Sequence, residues 1–241
     1  MLHKTKGIVL KTTDYADNSV IAKIFTQKFG LQSYMINGVK KPKAKIRLNM
    51  LQPLHLLDMV VYHKPNIGIQ RISDAKSDPI LQTIPYDIIK SSLVLFIDEV
   101  IYKSLKQEHE DELMFEFIAK SIELLDHSED SIANFHLIFL MKLTRFLGFY
   151  PDMSNVDNFP FFDLRDGIFV ANQPLHRQFI EKEFKADWLQ ILTCAMNDFF
   201  EVKLNSASRK YILQKIIDYY SLHIESFGEV KSHLILEEVL N

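Results

Sequence analysis

Up to Ala75 the apolar side chains of this chain come in short runs rich in β-branched and aromatic residues; from Ile89 onward they recur at helical spacing. "KGIVLKTT", "SVIAKIFT", "LQSYMING", "LHLLDMVVYH" and "IGIQRISDA" read as five strands. Turn formers separate them: Asp14, Asp17, Asn18, Gly30, Pro42 and the stretch "KPNIG". Five short strands with one long connection, between the third and the fourth, predict a small closed barrel rather than an open sheet.

The helical part begins after "SDAKSDPILQTIPYD", whose two prolines and small polar residues predict a domain boundary. Ile89, Leu93, Phe96, Ile97, Val100, Ile101 and Leu105 follow the i, i+4, i+7, i+8 rule. Leu113, Phe117, Ile118, Ile122 and Leu125 repeat it in "DELMFEFIAKSIELLDH". "SEDSIANFHLIFLMKLTRFLGFYPD" opens with polar capping candidates and closes with Gly148 and Pro151, which predicts one long central helix. Two more helices are expected in "ADWLQILTCAMNDFFEV" and "SASRKYILQKIIDYYSLHIESFG", and "FFDLRDGIFV" reads as a hairpin turning at Asp166 and Gly167. The expected architecture is α+β and multidomain. Residues 1–78 form an oligonucleotide-binding (OB-fold) five-stranded barrel, and residues 79–241 form an α-helical bundle with a hairpin insertion near 155–172.

Charge sharpens this division. Residues 1–76 hold 13 Lys and Arg against 4 Asp and Glu, whereas residues 77–241 hold 15 against 27, so the halves carry +9 and -12. A basic module that meets a polyanion, joined to an acidic one, is the plain reading. The start of the chain lacks a signal-peptide pattern and no stretch is long and apolar enough for a membrane span, so a cytoplasmic location is expected. With 47% hydrophobic and 24% charged residues the composition is that of an ordinary folded protein. Cys194, the single cysteine, is read as a small buried hydrophobe.

Catalytic chemistry is not signalled. The nine histidines include no H-x-x-x-H pair, and the chain has no P-loop, no G-x-G-x-x-G and only 7 glycines. "EHEDE", Glu108 to Glu112, reads as a solvated helix start and not as a metal site. No nucleophile is placed beside a base, and no cofactor is expected.

The strongest local feature is Lys40, Lys41, Lys43, Lys45 and Arg47, five cations in eight positions, within the long connection of the expected barrel. Lys4, Lys6, Lys11, Lys23, Lys28, Lys64 and Arg71 belong to the same module. Tyr15, Phe25, Phe29, Tyr34 and Tyr62 are interleaved with them, as a surface that stacks bases and pairs phosphates requires. A barrel this small needs bulky interior residues, so Tyr15 and Tyr62 are better stacking candidates than Phe25 and Phe29. Pro42 is expected to hold the loop cations extended. The DNA-binding candidates are Lys11, Tyr15, Lys40, Lys41, Lys43, Lys45, Arg47, Tyr62, Lys64 and Arg71.

The order of these motifs resembles the amino-terminal domain of the RecO family. Tyr15, Asn18 and Ser19 stand in a tyrosine turn followed by an acid-Ser pair, with Asn in the acid's place. Thr26 and Gly30 follow, then Gly38 with Lys40, Lys41, Pro42 and Lys43, then Leu51, Gln52 and Pro53. "FHLIFLMKLTRFLGFYPD" resembles the family's helix ending in Leu-Gly-x-x-Pro-Asp. The resemblance implies an OB-fold barrel followed by a helical domain, and a recombination mediator acting without nucleotide hydrolysis. It implies binding of single- and double-stranded DNA, strand annealing, and loading of RecA onto strands coated by single-strand-binding protein, together with RecR and sometimes RecF. Many members carry four cysteines after the Pro-Asp and bind zinc. Here Val156 and Phe159 fall where the first pair would stand, so zinc is not expected and Phe159, Phe161, Phe162 and Phe169 are expected to hold the hairpin instead.

Lys142 and Arg145, near the end of the central helix, are expected to complement its negative terminus. The family suggests a second role for them, receiving the acidic C-terminal tail of single-strand-binding protein. The rival to a DNA mediator is a non-catalytic adaptor whose basic barrel meets an acidic protein or membrane lipid; a transfer enzyme acting on nucleic acid comes third. The absence of a basic amphipathic helix argues against the membrane version.

Overall fold

A computed structural model describes residues 1–65, 67–105 and 110–240. Asn66 of the "KPNIG" turn and Glu108 and His109 of "EHEDE" lie outside the described residues. The chain divides into two compact units, Met1–His127 and Ser128–Asn241.

The first unit opens with a closed barrel of β1 (Leu2–Ala16), β2 (Ser19–Thr26), β3 (Gly30–Asn37), β4 (Leu56–Tyr62) and β5 (Gln70–Ser77), in the order β1-β2-β3-β5-β4. All neighbours are antiparallel except β3 and β5, which run parallel at Tyr34 opposite Gln70 and Met35 opposite Arg71. β1 is long enough to close the barrel alone: its first half pairs with β4 and its second half with β2. The OB-fold expectation holds. Alternation along β2 and β3 sends Val20, Ala22, Ile24, Tyr34 and Ile36 into the interior, beside Val9, Leu57, Met59 and Val61. Ile8 and Leu10, on either side of Val9, are buried too, so the centre of β1 is covered on both faces and reads as the continuous apolar run "IVL".

Two helices complete this unit, α1 (Ile88–Ser104) and α2 (Glu112–His127). Asp87 caps α1 by accepting from the backbone N–H of Ile89 and Lys90. Phe115 of α2 lies 5.9 Å from Phe25, ring to ring, which is why Phe25 is buried. Asp126, at the end of α2, ties the connector between barrel and helices in place. It accepts from the N–H of Gln82, Thr83 and Ile84 at 2.7–2.9 Å, while the ammonium of Lys90 donates to the Asp126 carbonyl and the Thr83 hydroxyl. Burial pushes the Asp126 carboxyl up, but those three N–H donors hold it below the usual carboxylate range.

The second unit contains α3 (Phe135–Leu147), a small sheet of β6 (Phe161–Asp163), β7 (Ile168–Val170) and β8 (Phe179–Ile180) in the order β7-β6-β8, then α4 (Lys185–Thr193), α5 (Ser206–His223) and α6 (Ser232–Leu240). α3 ends as expected, with Gly148 in the left-handed conformation at φ 85°. It begins later than the polar candidates suggest. The side chain of Asn134 is engaged elsewhere, donating to the Val202 carbonyl and accepting from Arg209, and does not cap the helix. The helix expected over "ADWLQILTCAMNDFFEV" breaks at Cys194, which is extended (ψ 133°), and resumes as a 3-10 segment, Met196–Glu201. That break aims Phe199 at Phe135, 5.2 Å away. Cys194 is half-buried and not a core residue.

The hairpin turns at Gly167 (φ 68°) as expected, and acquires β8 as a third strand. Its aromatic support differs from the expected set. Phe162 meets Phe169, Trp188 and Tyr219 at 5.0, 5.4 and 6.1 Å, and Phe161 meets Phe179 at 5.9 Å, while Phe159 joins none of these ring pairs. Among the described residues, no helix is long and apolar enough to cross a membrane.

Candidate nucleic-acid interface

The connection between β3 and β4 is not extended. The Lys41 N–H donates to the Gly38 carbonyl at 3.1 Å and the Ala44 N–H to the Lys41 carbonyl at 3.0 Å, so the loop coils through two successive turns. Pro42 takes the second position of the latter turn, where its fixed φ is favoured. This corrects the expectation that proline would keep the cations in a line. Val39 and Ile46 are buried in the barrel core and pin both ends of the coil. The cations between them have no apolar alternative and project outward.

Three of them, Lys41, Lys43 and Lys45, line one groove together with Arg71 of β5. The parallel pairing of β3 with β5 brings Arg71 there, because it places Arg71 beside Met35, and Met35 leads into the loop. Asn37 and Ser73 are the other exposed residues of the lining, Met35 is half-buried, and no carboxylate is among the described groove residues. Tyr62 stands next to Arg71 on the same outer face, opposite it in the β4–β5 register. Its side chain is 46% exposed, that of Tyr15 60%, whereas Tyr34 and Phe25 are core. Phe29 is half-buried and stacks on His63 at 4.0 Å.

The remaining candidates lie outside the groove lining. Lys40 is ion-paired to Asp14 at 2.9 Å and fastens the loop to the end of β1. Arg47 precedes the 3-10 turn Leu48–Leu51 and is exposed. Lys64 sits in the β4–β5 connection, which the buried Gln70 closes by donating to the carbonyls of Lys64 and Ile67 and accepting from the Lys64 N–H. Lys11 faces Lys23 across β1 and β2. Among the described residues, Lys40 and Lys76 are the barrel cations held in ion pairs, Lys76 by Asp58 and Asp78. Met35, Asn37 and Ser73 are not among the residues that the sequence singles out. The signal was available in "LQSYMING", where alternation puts Gln32, Tyr34 and Ile36 inward and leaves Met35 as an apolar residue facing out.

In the second unit, Lys142 donates to the Leu192 carbonyl at 2.7 Å, and the Tyr150 hydroxyl donates to the same oxygen at 2.9 Å. Lys142 therefore serves the C-terminal turn of α4 as well as lying near the end of its own helix. Burial and the neighbouring Arg145 push its ammonium down from the ordinary lysine value. Arg145 lies over the Tyr150 ring at 4.2 Å. A zinc ion, which the family resemblance raised, does not suit the residues present. Val156 and Phe159 offer no donor, the segment coils through the turns Val156 N–H to Met153 carbonyl and Phe159 N–H to Asn155 carbonyl, and no group of three or more His, Cys, Asp or Glu among the described residues is placed to hold a metal.

A groove lined by Lys41, Lys43, Lys45 and Arg71, with no carboxylate among the described lining residues, is electrostatically suited to an anionic chain. The family profile described as Recombination protein O N terminal matches residues 1–78, and the one described as Recombination protein O C terminal matches residues 85–159. A DNA repair protein RecO from Azobacteroides pseudotrichonymphae is 36% identical over 241 residues, covering all of both chains. The DNA repair protein RecO of Bacteroides fragilis is 34% identical over 242 residues, again covering both completely, and that of Flavobacterium johnsoniae is 34% identical over 239 residues and 99% of each. With the two profiles matched in order over residues 1–78 and 85–159 and the likeness to these relatives running end to end, this chain belongs to the RecO family of DNA repair proteins.

Proposed function

We propose that this chain is a recombination mediator that binds and anneals single-stranded DNA, binds duplex DNA, and helps load RecA onto strands coated by single-strand-binding protein. The observation that supports this most directly is the groove of Lys41, Lys43, Lys45 and Arg71, which has no carboxylate in its lining. Those cations release counterions condensed on the phosphates, so affinity falls steeply with salt and depends little on sequence. Annealing rests on the same physics: two strands repel, and a surface that screens both leaves base edges free to pair. The protein binds its substrate and does not transform it.

In this reading it acts in the cytoplasm, on the nucleoid, with RecR as its working partner and with RecF and RecA engaged indirectly. The acidic tail of single-strand-binding protein meets Arg145 more readily than Lys142, since Lys142 is committed to the Leu192 carbonyl. The test is annealing of complementary oligonucleotides coated with single-strand-binding protein, with and without this chain. Acceleration that fades with rising salt is the expected result. A rate equal to the protein-free control would sink the proposal, and binding to an acidic protein in its place would favour the adaptor reading.

A further inference from the structure

Lys11 of β1 and Lys23 of β2 are direct cross-strand partners on the outside of the barrel. Like charges so placed repel, and register alone would be expected to select against them. Both ammonium groups nevertheless converge on one aromatic ring, that of Tyr102 in α1: Lys11 Nζ lies 5.1 Å and Lys23 Nζ 5.5 Å from its centroid. Neither lysine has a carboxylate partner among the described residues; Glu99, one turn before Tyr102, pairs with Lys103. The ring attracts each ammonium through its negative face but leaves their net charge intact. Two cations are thus gathered and oriented with no carboxylate partner among the described residues.

We propose that Lys11, Lys23 and Tyr102 form a second phosphate-binding subsite, with Tyr102 as the positioning residue, so that the nucleic-acid surface runs off the barrel onto α1. This rests on the reading of the barrel as a nucleic-acid surface. The subsite is reached directly from the groove. Met35 in the groove lining faces Ile21 across β2 and β3, and Lys23 lies two residues beyond Ile21, about 7 Å along the strand. A strand leaving the groove across β2 meets the lysine pair next. The ligand class is a phosphodiester backbone and the contact carries no base preference.

The test is the slope of log affinity against log salt for a labelled single-stranded oligonucleotide, compared among the parent, Lys23→Gln, Tyr102→Phe, Tyr102→Ala and a groove variant, Lys41→Ala/Lys43→Ala/Lys45→Ala. Lys23→Gln should lower the slope by about 0.7, the value for one phosphate contact on a single strand. Tyr102→Ala should lower it comparably, Tyr102→Phe should leave it unchanged because the ring face and not the hydroxyl holds the lysines, and Tyr102→Ala should add nothing in a Lys11→Gln/Lys23→Gln background. A purely structural Tyr102 would not give that lysine-dependent loss. Parental slopes for Lys23→Gln and Tyr102→Ala, beside a reduced slope for the groove variant, would overturn the subsite and spare the barrel reading. An unchanged groove variant would overturn the barrel reading itself.

Discussion

Replacing Lys41, Lys43, Lys45 and Arg71 together by Ala removes every cation of the groove while leaving Val39 and Ile46, which anchor the loop, untouched. The cost in affinity can be worked from the count. Each phosphate contact contributes about 0.7 to the slope of log affinity against log salt on a single strand, so four contacts contribute about 2.8. If affinity extrapolated to about 1 M salt is unchanged, the loss at about 0.1 M is some 10^2.8, roughly 600-fold; two contacts out of four would give roughly 25-fold. Anisotropy titrations of one labelled oligonucleotide between about 0.05 and 0.5 M salt measure both quantities. Lys40→Ala is the internal control, because its ammonium already faces Asp14 at 2.9 Å and has less counterion to displace from DNA. All the replaced side chains are exposed, so thermal stability should change by no more than about 0.5 kcal/mol. A quadruple variant with the parental slope, or a Lys40→Ala variant whose slope falls as far as that of Lys43→Ala, would refute the argument that this groove and not the bulk charge of the barrel holds the backbone.

Three further predictions concern the frame around that surface. Asp126→Ala should cost about 3 kcal/mol in thermal or denaturant unfolding, since it strands the three backbone N–H groups of Gln82, Thr83 and Ile84, while Lys90 keeps its bond to the residue-126 backbone carbonyl. Because the Asp126 carboxyl is depressed in the folded state, its charge-dependent share of that difference is present above about pH 4 and should shrink as pH falls below it. His136 is fully buried, and burial with the nearby Arg209 pushes its imidazole down to about 3 from 6.5. The unfolded chain therefore binds a proton below pH 6.5 that the folded chain refuses, and stability relative to His136→Gln should fall by about 2 kcal/mol between about pH 7.5 and 5; a pH-independent difference would contradict this. Lys142→Met should lower stability by about 1–2 kcal/mol through the lost bond to the Leu192 carbonyl while leaving oligonucleotide affinity alone, and the opposite pattern would place Lys142 on a binding surface.

Much of this fold is legible in the order of apolar residues, and the parts that are not share a cause. The five strands and the first two helices announce themselves because each buries a face whose period is local. β8 is two residues long, Phe179–Ile180, too short to carry a period, and exists because Phe162 and Asp163 of β6 offer it a partner. α6 is nine residues with one buried side chain, Leu236, so little of its sequence is constrained. The break at Cys194 and the late start of α3 are both decided by distant partners: Phe199 turns toward Phe135, and Asn134 gives its side chain to Val202 and Arg209. The coiled loop departs from the extended one expected for a related reason. Proline fixes its own φ but not the path of its neighbours, and the Gly38 and Lys41 carbonyls decide that the chain turns.

The same distinction separates the candidate site from the set of cations that suggested it. An excess of +9 is a property of composition, but at physiological salt charges act together only within about 8 Å, so the excess matters to a ligand only where folding concentrates it. Folding does this unevenly. It commits Lys40 and Lys76 to carboxylates of the barrel region itself, and it gathers Lys41, Lys43 and Lys45 because two buried aliphatics hold the loop as a coil. It adds Arg71 through the short parallel contact between β3 and β5, a pairing between residues 36 apart in the chain that no local pattern encodes. Arg71 is accordingly the residue on which the groove depends as a feature of the fold rather than of the loop. A loop peptide containing all five of its cations but lacking β5 would keep the composition and lose the geometry, so it should bind oligonucleotide with a smaller salt slope than the intact barrel does.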